Sequence, residues 1–280
     1  MSKRGLPCRI DELLVTYDEL LEELRSYPGL RLEFYPSKPR DIPMVIMGDS
    51  EPTLILTARM HGDEPTGTEA LRRFIRHRRG FGYRFVIFPI VNTHGCEYNT
   101  RGNIHQRDVT NYFKDAEGYE AVALRSALER FEPRVVLDLH NTNFLTERSK
   151  NPKGYLLPAN NKASMDMAIY IIEYLRANGL SDLVREEMSP NYFLDPSKVS
   201  RYRKVLDGVF TDRMDESCFK ATTSRLNIAH VCVESPGKTK SFFFDEEEDV
   251  DRYVENFERF VDFHHLSILA TIEYLEARGS

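Results

Sequence analysis

Three motifs hold side chains able to bind a metal ion: HGDE with His61 and Glu64, LDLHNT with His140, and VESPGK with Glu234. Two histidines and one carboxylate form the ligand set of a catalytic zinc site, whose fourth position stays open for water. A further carboxylate, close but not ligated, is what such a site needs as a general base. His61 and Glu64 are three residues apart, so one turn can wrap both around an ion, with Gly62 permitting a sharp bend. Each piece alone has a plainer reading. HxxE arises by chance, Asp63 between the two is read as a bystander, and a histidine at a strand end is more often a hydrogen-bonded surface residue.

The elements that must position these groups strengthen the case. TLILTARM runs into His61, RVVLDL into His140 and IAHVCV into Glu234. In open α/β sheets, binding sites gather beyond the carboxyl ends of the strands, and here three apolar strands hand a titratable side chain to one edge. Further strands are expected at LRLEFY, PMVIM and RFVIFPIVN. Strands apolar at every position are buried on both faces, which requires helices on either side of the sheet. Those helices are expected at IDELLVTYDELLEELRSY, TGTEALRRFIRHRRG, EAVALRSALERF, KASMDMAIYIIEYLRANG and the long closing run from DVDRYV to EYLEA. Thr66 or Thr68 is the expected N-cap of the second of these, with Gly80 as its terminator. The fold class is therefore α/β: a single-domain α/β/α sandwich with a mixed, largely parallel central sheet, spanning residues 1–280 as one unit. Residues 180–225 are less regular and read as long loops near the site.

Composition sets limits on function. The chain has 280 residues, 41% hydrophobic and 29% charged, with a formal charge of −6, which argues against nucleic acid as the main partner. The run Arg72, Arg73, Arg76, Arg78 and Arg79 reads as the solvated face of one helix. The four cysteines are scattered without a CxxC pair, and neither an apolar leader nor an 18-residue apolar run is present. A reduced, cytoplasmic protein without membrane association is the expectation; the oligomeric state is not legible.

Taken in order, the motifs resemble the zinc carboxypeptidase superfamily, which includes the succinylglutamate desuccinylase and aspartoacylase branch. HGDE matches its HxxE. NTHGCEYNT keeps Asn92, Gly95, Glu97 and Tyr98 of an asparagine-led segment. RDVTNYF lines up with a D-L-N-R-x-F motif, and LDLHNT and VESPGK supply the later histidine and glutamate. The resemblance implies that His61, Glu64 and His140 hold one Zn²⁺ per chain, although other first-row metals suit the same donors. It implies Glu234 as the base that takes a proton from water and passes it to the leaving amine. Arg101 becomes the cation that stabilises the oxyanion, with Arg107 as its competitor.

One departure stands out. Thr110 and Asn111 occupy the places of the Asn-Arg pair that grips a substrate's terminal carboxylate in that family. Asparagine lacks the charged, two-pronged guanidinium fork. Either Arg107 or Arg101 anchors the substrate near Asn111, or the substrate has no carboxylate there. The expected activity is amide-bond cleavage in a small peptide or acylated amino acid, of carboxypeptidase type. The alternatives are an N-acyl amino acid deacylase, against which the chain leaves no length for that branch's extra β-domain, and a non-catalytic binding relic. Asp138, two positions before His140, is read either as orienting that ligand or as a buried hydrogen-bonded aspartate. His94 and His105 are read as loop structure, His264 and His265 as helix surface, and Tyr192 and Tyr202 as candidates to cover the substrate.

Overall fold

The computed structural model describes residues 4–77, 82–110, 113, 118–143, 153–186, 202–212, 218–239 and 247–279. The N-terminal apolar periodicity forms two helices rather than one, α1 (Cys8–Asp11) and α2 (Tyr17–Ser26). The break falls at Thr16, whose hydroxyl accepts from the Glu19 N–H while the Glu19 carboxylate accepts from the Thr16 N–H, a reciprocal cap that restarts the helix. Strands β1 (Arg31–Tyr35), β2 (Ile42–Met47) and β3 (Thr53–Ala58) follow, then helix α3 (Thr66–Arg76). Pro65 occupies the N-cap of α3, so the expected caps Thr66 and Thr68 lie inside the helix; the Thr68 hydroxyl instead donates to the Pro89 carbonyl at 2.7 Å. The expected terminator Gly80, with Arg78 and Arg79, lies outside the described residues. Of the remaining arginines, Arg72 pairs with Glu23 and Glu69, and Arg73 with Glu258 and Asp262, so this face of α3 binds neighbouring acids rather than only solvent.

The rest of the chain comprises β4 (Arg84–Phe88), α4 (Thr93–Tyr98), α5 (Tyr119–Phe131), β5 (Val135–Asn143), β6 (Tyr155–Pro158), α6 (Lys162–Leu175), β7 (Tyr202–Leu206), β8 (Val209–Asp212), α7 (Phe219–Arg225), β9 (Ala229–Lys238) and α8 (Glu247–Ala277). Among the described residues the strands form one nine-stranded mixed sheet in the order β1-β2-β4-β3-β5-β9-β6-β8-β7. Its centre, β4-β3-β5-β9, is parallel, whereas β2 joins β4, β1 joins β2, β6 joins β9 and β7 joins β8 antiparallel. The region expected to be loops thus contributes the edge strand β7, its neighbour β8 and helix α7.

Alternation along the strands divides the core. Leu54, Leu56, Leu137, Leu139, Val231 and Val233 face a core shared with α3, α6 and α8. Ile55 and Val136 face the opposite core, with Leu124 and Leu128 of α5 and Phe219 of α7. Helices therefore cover both faces, as the all-apolar strands require. The face carrying Val136 is the one that continues, two residues at a time, into Asp138 and His140. Among the described residues no helix is long and apolar enough to cross a membrane.

Candidate metal centre

Register brings the sequence motifs together. Strands β5 and β9 run parallel with His140 opposite Glu234, Asp138 opposite Cys232 and Val136 opposite His230. Side chains of one parity therefore line up across the two strands, from Val136 and His230 at the bottom to His140 and Glu234 at the carboxyl end. Beyond β3, Arg59 adopts a left-handed φ of 55° and turns the chain, so that His61 and Glu64 fold back over the end of β5. The Glu64 N–H donates to the His61 carbonyl at 3.2 Å and closes the turn.

Gly62 serves this turn for a different reason from the expected bend. A Cβ at Gly62 would lie 1.8 Å from the carbonyl carbon of Gly95, so the residue is needed for close approach between two backbones. Gly95 belongs to α4, whose N-cap Asn92 accepts the Gly95 N–H at 2.7 Å and donates to the Arg101 carbonyl at 3.3 Å. The asparagine-led segment thus builds a small scaffold that holds the Glu64 turn and the Arg101 loop against each other.

The three expected ligands converge. His61 Nδ1 lies 3.0 Å from Glu64 Oε1, His140 Nδ1 lies 2.8 Å from Glu64 Oε2, and the two Nδ1 atoms are 3.2 Å apart. Ligands held about 2.0–2.1 Å from a tetrahedral ion stand roughly 3.3 Å from one another, so these separations fit a zinc-sized ion. All three residues are buried, with 2–3% of their surface exposed. Both histidines turn their other nitrogen to a carboxylate: His61 Nε2 to Asp108 Oδ1 at 3.1 Å, and His140 Nε2 to Asp138 Oδ2 at 2.9 Å. An Nε2–H donated to an acid leaves the Nδ1 lone pair for the ion, the usual arrangement of a metal-binding histidine. Asp138 is itself fixed by the Thr57 hydroxyl, which donates to Oδ1 at 2.6 Å. Of its two readings, orientation of His140 is what the geometry supports.

The surroundings shift the titration of these groups in different directions. Burial works against ionised Glu64, but the charges of His61 and Lys238 outweigh it and hold its carboxyl well below the usual range. Burial likewise disfavours a charged His140, yet the Asp138 carboxylate raises its pKa well above that of a free imidazole. Burial, and to a smaller degree His61 and Arg101, act on Asp108 in opposite senses, and the cations win, lowering it. Glu234 behaves differently: burial and the nearby Glu64 charge raise its pKa despite the opposing His140. A second cluster, Asp138, His140 and Cys232, brings its donor atoms within the same 4.8 Å. There Asp138 is already committed to His140 and Thr57, and burial pushes the Cys232 thiol up to about 12, which disfavours the thiolate a metal would need.

Of the two candidate arginines, Arg101 reaches the centre. Its Nη1 donates to Glu64 Oε1 at 3.0 Å and its Nη2 lies 2.8 Å from Asp108 Oδ2, while its side chain stays 41% exposed. Arg107 is an exposed residue of the loop turned by Asn103, whose side-chain oxygen accepts the Arg107 N–H at 3.2 Å. Thr110 places its hydroxyl 3.1 Å from His61 Nε2, beside Asp108. Asn111 and Tyr192 lie outside the described residues, and Tyr202 opens β7. His94 stacks on Tyr98 within α4, and His105 is exposed in the Asn103 loop.

Several residues near the centre escape the sequence reading or are misread by it. Asp108 lies inside RDVTNYF, where its position in the resembling motif was the available signal. Lys238 ends VESPGK and, only 5% exposed, places Nζ 2.7 Å from Glu64 Oε1 and 3.7 Å from Asp63 Oδ2. Asp63, read as a bystander, is thus a buried partner of this lysine and outside the ligand cluster. His264, expected on a helix surface, is fully buried, with Nε2 facing the Asn141 side-chain amide at 3.3 Å. Asn141 also donates its N–H to Glu64 Oε2 at 3.1 Å and accepts the Thr66 N–H at 3.2 Å, fastening β5 to the start of α3. His265 is partly buried.

The whole architecture has relatives among solved structures. A proposed metallopeptidase from Shewanella amazonensis superposes with a TM-score of 0.67 at 15% identity, covering 92% of this chain and 91% of its own. A metallo-carboxypeptidase from Pseudomonas aeruginosa, solved with (2-guanidinoethylmercapto)succinic acid, gives 0.63 at 15% identity over 92% of this chain and 69% of its own. The succinylglutamate desuccinylase/aspartoacylase of Rhodobacter sphaeroides gives 0.55 at 16% identity over 89% of this chain and 65% of its own. No protein-family model and no curated protein matches the sequence. At these identities the likeness defines the fold: a carboxypeptidase-like α/β fold carrying a His-Glu-His candidate metal centre.

Proposed function

We propose that this protein is a zinc-dependent hydrolase that cleaves an amide bond, a carboxypeptidase-type metallopeptidase with atypical recognition of the substrate's C-terminal carboxylate. The observation that carries this reading is the convergence of His61, Glu64 and His140 on one point, with Glu234 opposite His140 on the neighbouring strand. Zinc held there by His61, Glu64 and His140 would supply a Lewis acid able to polarise a carbonyl and acidify water. Glu234 is placed to accept a proton from the attacking water and deliver it to the departing amine, a role suited to a carboxyl group whose pKa is raised by burial and by Glu64. Arg101, held by Asp108 and Glu64 with part of its side chain exposed, offers N–H donors to the oxygen on which negative charge develops. This reading assigns Arg107 and Asn111 to substrate binding, and residues 1–280 act as one catalytic unit.

The similarity to the Rhodobacter desuccinylase/aspartoacylase favours a second reading, deacylation of an N-acyl amino acid. One experiment separates the two and tests both. Purified protein is offered peptides with free and amidated C-termini and a panel of N-acyl amino acids, alongside Glu234→Gln. The peptidase reading expects release of C-terminal residues by the wild type and its loss in the variant, which still binds zinc. Hydrolysis of acyl amino acids alone supports the deacylase, and turnover that survives Glu234→Gln removes Glu234 as the base.

A further inference from the structure

Arg59 is 0% exposed, one of the largest side chains so enclosed among the described residues, and no step proposed above uses it. Its backbone and the inner nitrogen of its guanidinium are engaged. The carbonyl accepts the Asn92 N–H at 3.0 Å, and Nε donates to the Gly62 carbonyl at 3.1 Å. The residue is thus clamped between the Asn92 cap and the turn that carries His61 and Glu64. The outer end differs. Nη1 and Nη2 are both buried, and neither meets a hydrogen-bond partner among the described residues.

A buried polar atom without a partner costs free energy, and a buried charge without a counter-ion costs more. Arginine cannot escape this by losing its proton, as a buried lysine or histidine does. Nor does the surrounding protein supply the missing charge. Glu69 and Arg59 both act on the Tyr253 phenol, whose pKa is raised chiefly by burial, so the three share one region of the interior. Yet Glu69 gives Oε1 to the Val15 N–H at 2.9 Å and Oε2 to Arg72 Nη1 at 2.5 Å. The Tyr253 hydroxyl is turned to the Gly237 carbonyl at 2.9 Å. Among the described residues no carboxylate pairs with Arg59.

We infer that Arg59 is an internal anion site, in which the N–H donors of Nη1 and Nη2 hold one small monovalent inorganic anion of chloride or bromide size. Charge and size follow from the single guanidinium and its enclosure. One negative charge neutralises it, whereas a divalent anion would leave a second charge buried. An organic acid finds no exposed face of Arg59 to approach. The site stands apart from the metal centre and does not depend on it. The anion stabilises the native chain, since the unfolded chain lacks the enclosure, and it does so at the base of the turn bearing His61 and Glu64.

The urea midpoint of the full-length protein, as purified, reads this. Chloride is exchanged for gluconate, an anion too large for the enclosed site, at constant ionic strength. The wild-type midpoint should climb with chloride, by an equal step for each tenfold rise above the dissociation constant. Arg59→Met keeps much of the side chain's length without its donors and should show no climb; chloride bound to a metal ion would act on both proteins alike. A wild-type midpoint indifferent to chloride, or an equal climb in Arg59→Met, overturns the inference. Should Arg59→Met not fold, wild-type crystals soaked in bromide decide the matter. Anomalous density against Nη1 and Nη2 is the expected result, and water or protein there without anomalous density overturns the site.

Discussion

Asp108 Oδ1 lies 3.1 Å from His61 Nε2, the ring nitrogen turned away from Glu64 and His140. The carboxylate therefore decides which nitrogen of His61 carries the proton, and so which one is open to a metal ion. Asp108→Asn keeps the shape but not the acceptor charge. Zinc affinity should fall about 10- to 100-fold, the usual cost of losing such a partner. Competition with a chromophoric chelator measures it, and an unchanged affinity would mean that Asp108 serves only Arg101.

Arg101 spans Asp108 and Glu64, with 41% of its side chain exposed. If it stabilises developing negative charge, Arg101→Met should lower kcat by about 10²–10³, the loss typical of one oxyanion donor, with little change in KM. A variant in which KM rises and kcat holds would instead make Arg101 a substrate anchor, as the replacement of the Asn-Arg pair by Thr110 and Asn111 also allows.

Gly62 tests the scaffold rather than the chemistry. A methyl group there would collide with the Gly95 backbone, 1.8 Å from its carbonyl carbon, so Gly62→Ala should cost at least about 1–3 kcal/mol as an overpacked site. Urea denaturation of metal-free protein measures the loss. Gly82→Ala, which meets no atom within 4 Å, is the control expected to be nearly neutral.

His264 sets a pH dependence. Burial, assisted by the His140 charge, pushes its pKa down to about 3, while the unfolded value is about 6.5. The unfolded chain therefore takes up a proton between these values and the native chain does not. The contribution is complete above pH 6.5 and diminishes as pH falls, by on the order of 2 kcal/mol at pH 5. His230, also pushed down to about 3, acts in the same direction. His140, with its pKa raised, acts in the opposite sense, contributing below about pH 6.5 and losing that contribution as pH rises. Urea midpoints of metal-free wild type should fall between pH 7.5 and pH 5 by more than those of His264→Gln; equal falls would mean that His264 is not held neutral.

How much of this was legible in the sequence depends on how local each signal is. The ligands were, because apolar strands ending in His140 and Glu234 need only alternation and the rule that sites sit at the carboxyl ends of strands. The helices on both faces of the sheet were legible too, from strands with no polar face. Lys238 was not, because its aim depends on one extra residue at Gly237, a register irregularity that no periodicity records. His264 was misjudged as surface because its cover, Asn141, comes from a strand 123 residues away. The start of α3 was misplaced because the threonines that resemble caps satisfy distant partners, Pro89 and Asn141.

The His61-Glu64-His140 centre is tested most directly by the ion it is proposed to hold. Protein purified without chelator and analysed by elemental mass spectrometry should carry close to one zinc per chain. His61→Ala and His140→Ala should each lose it while remaining folded. A wild-type protein that stays folded yet binds no divalent metal when dialysed against zinc would contradict the His61-Glu64-His140 centre, and with it the proposed hydrolase.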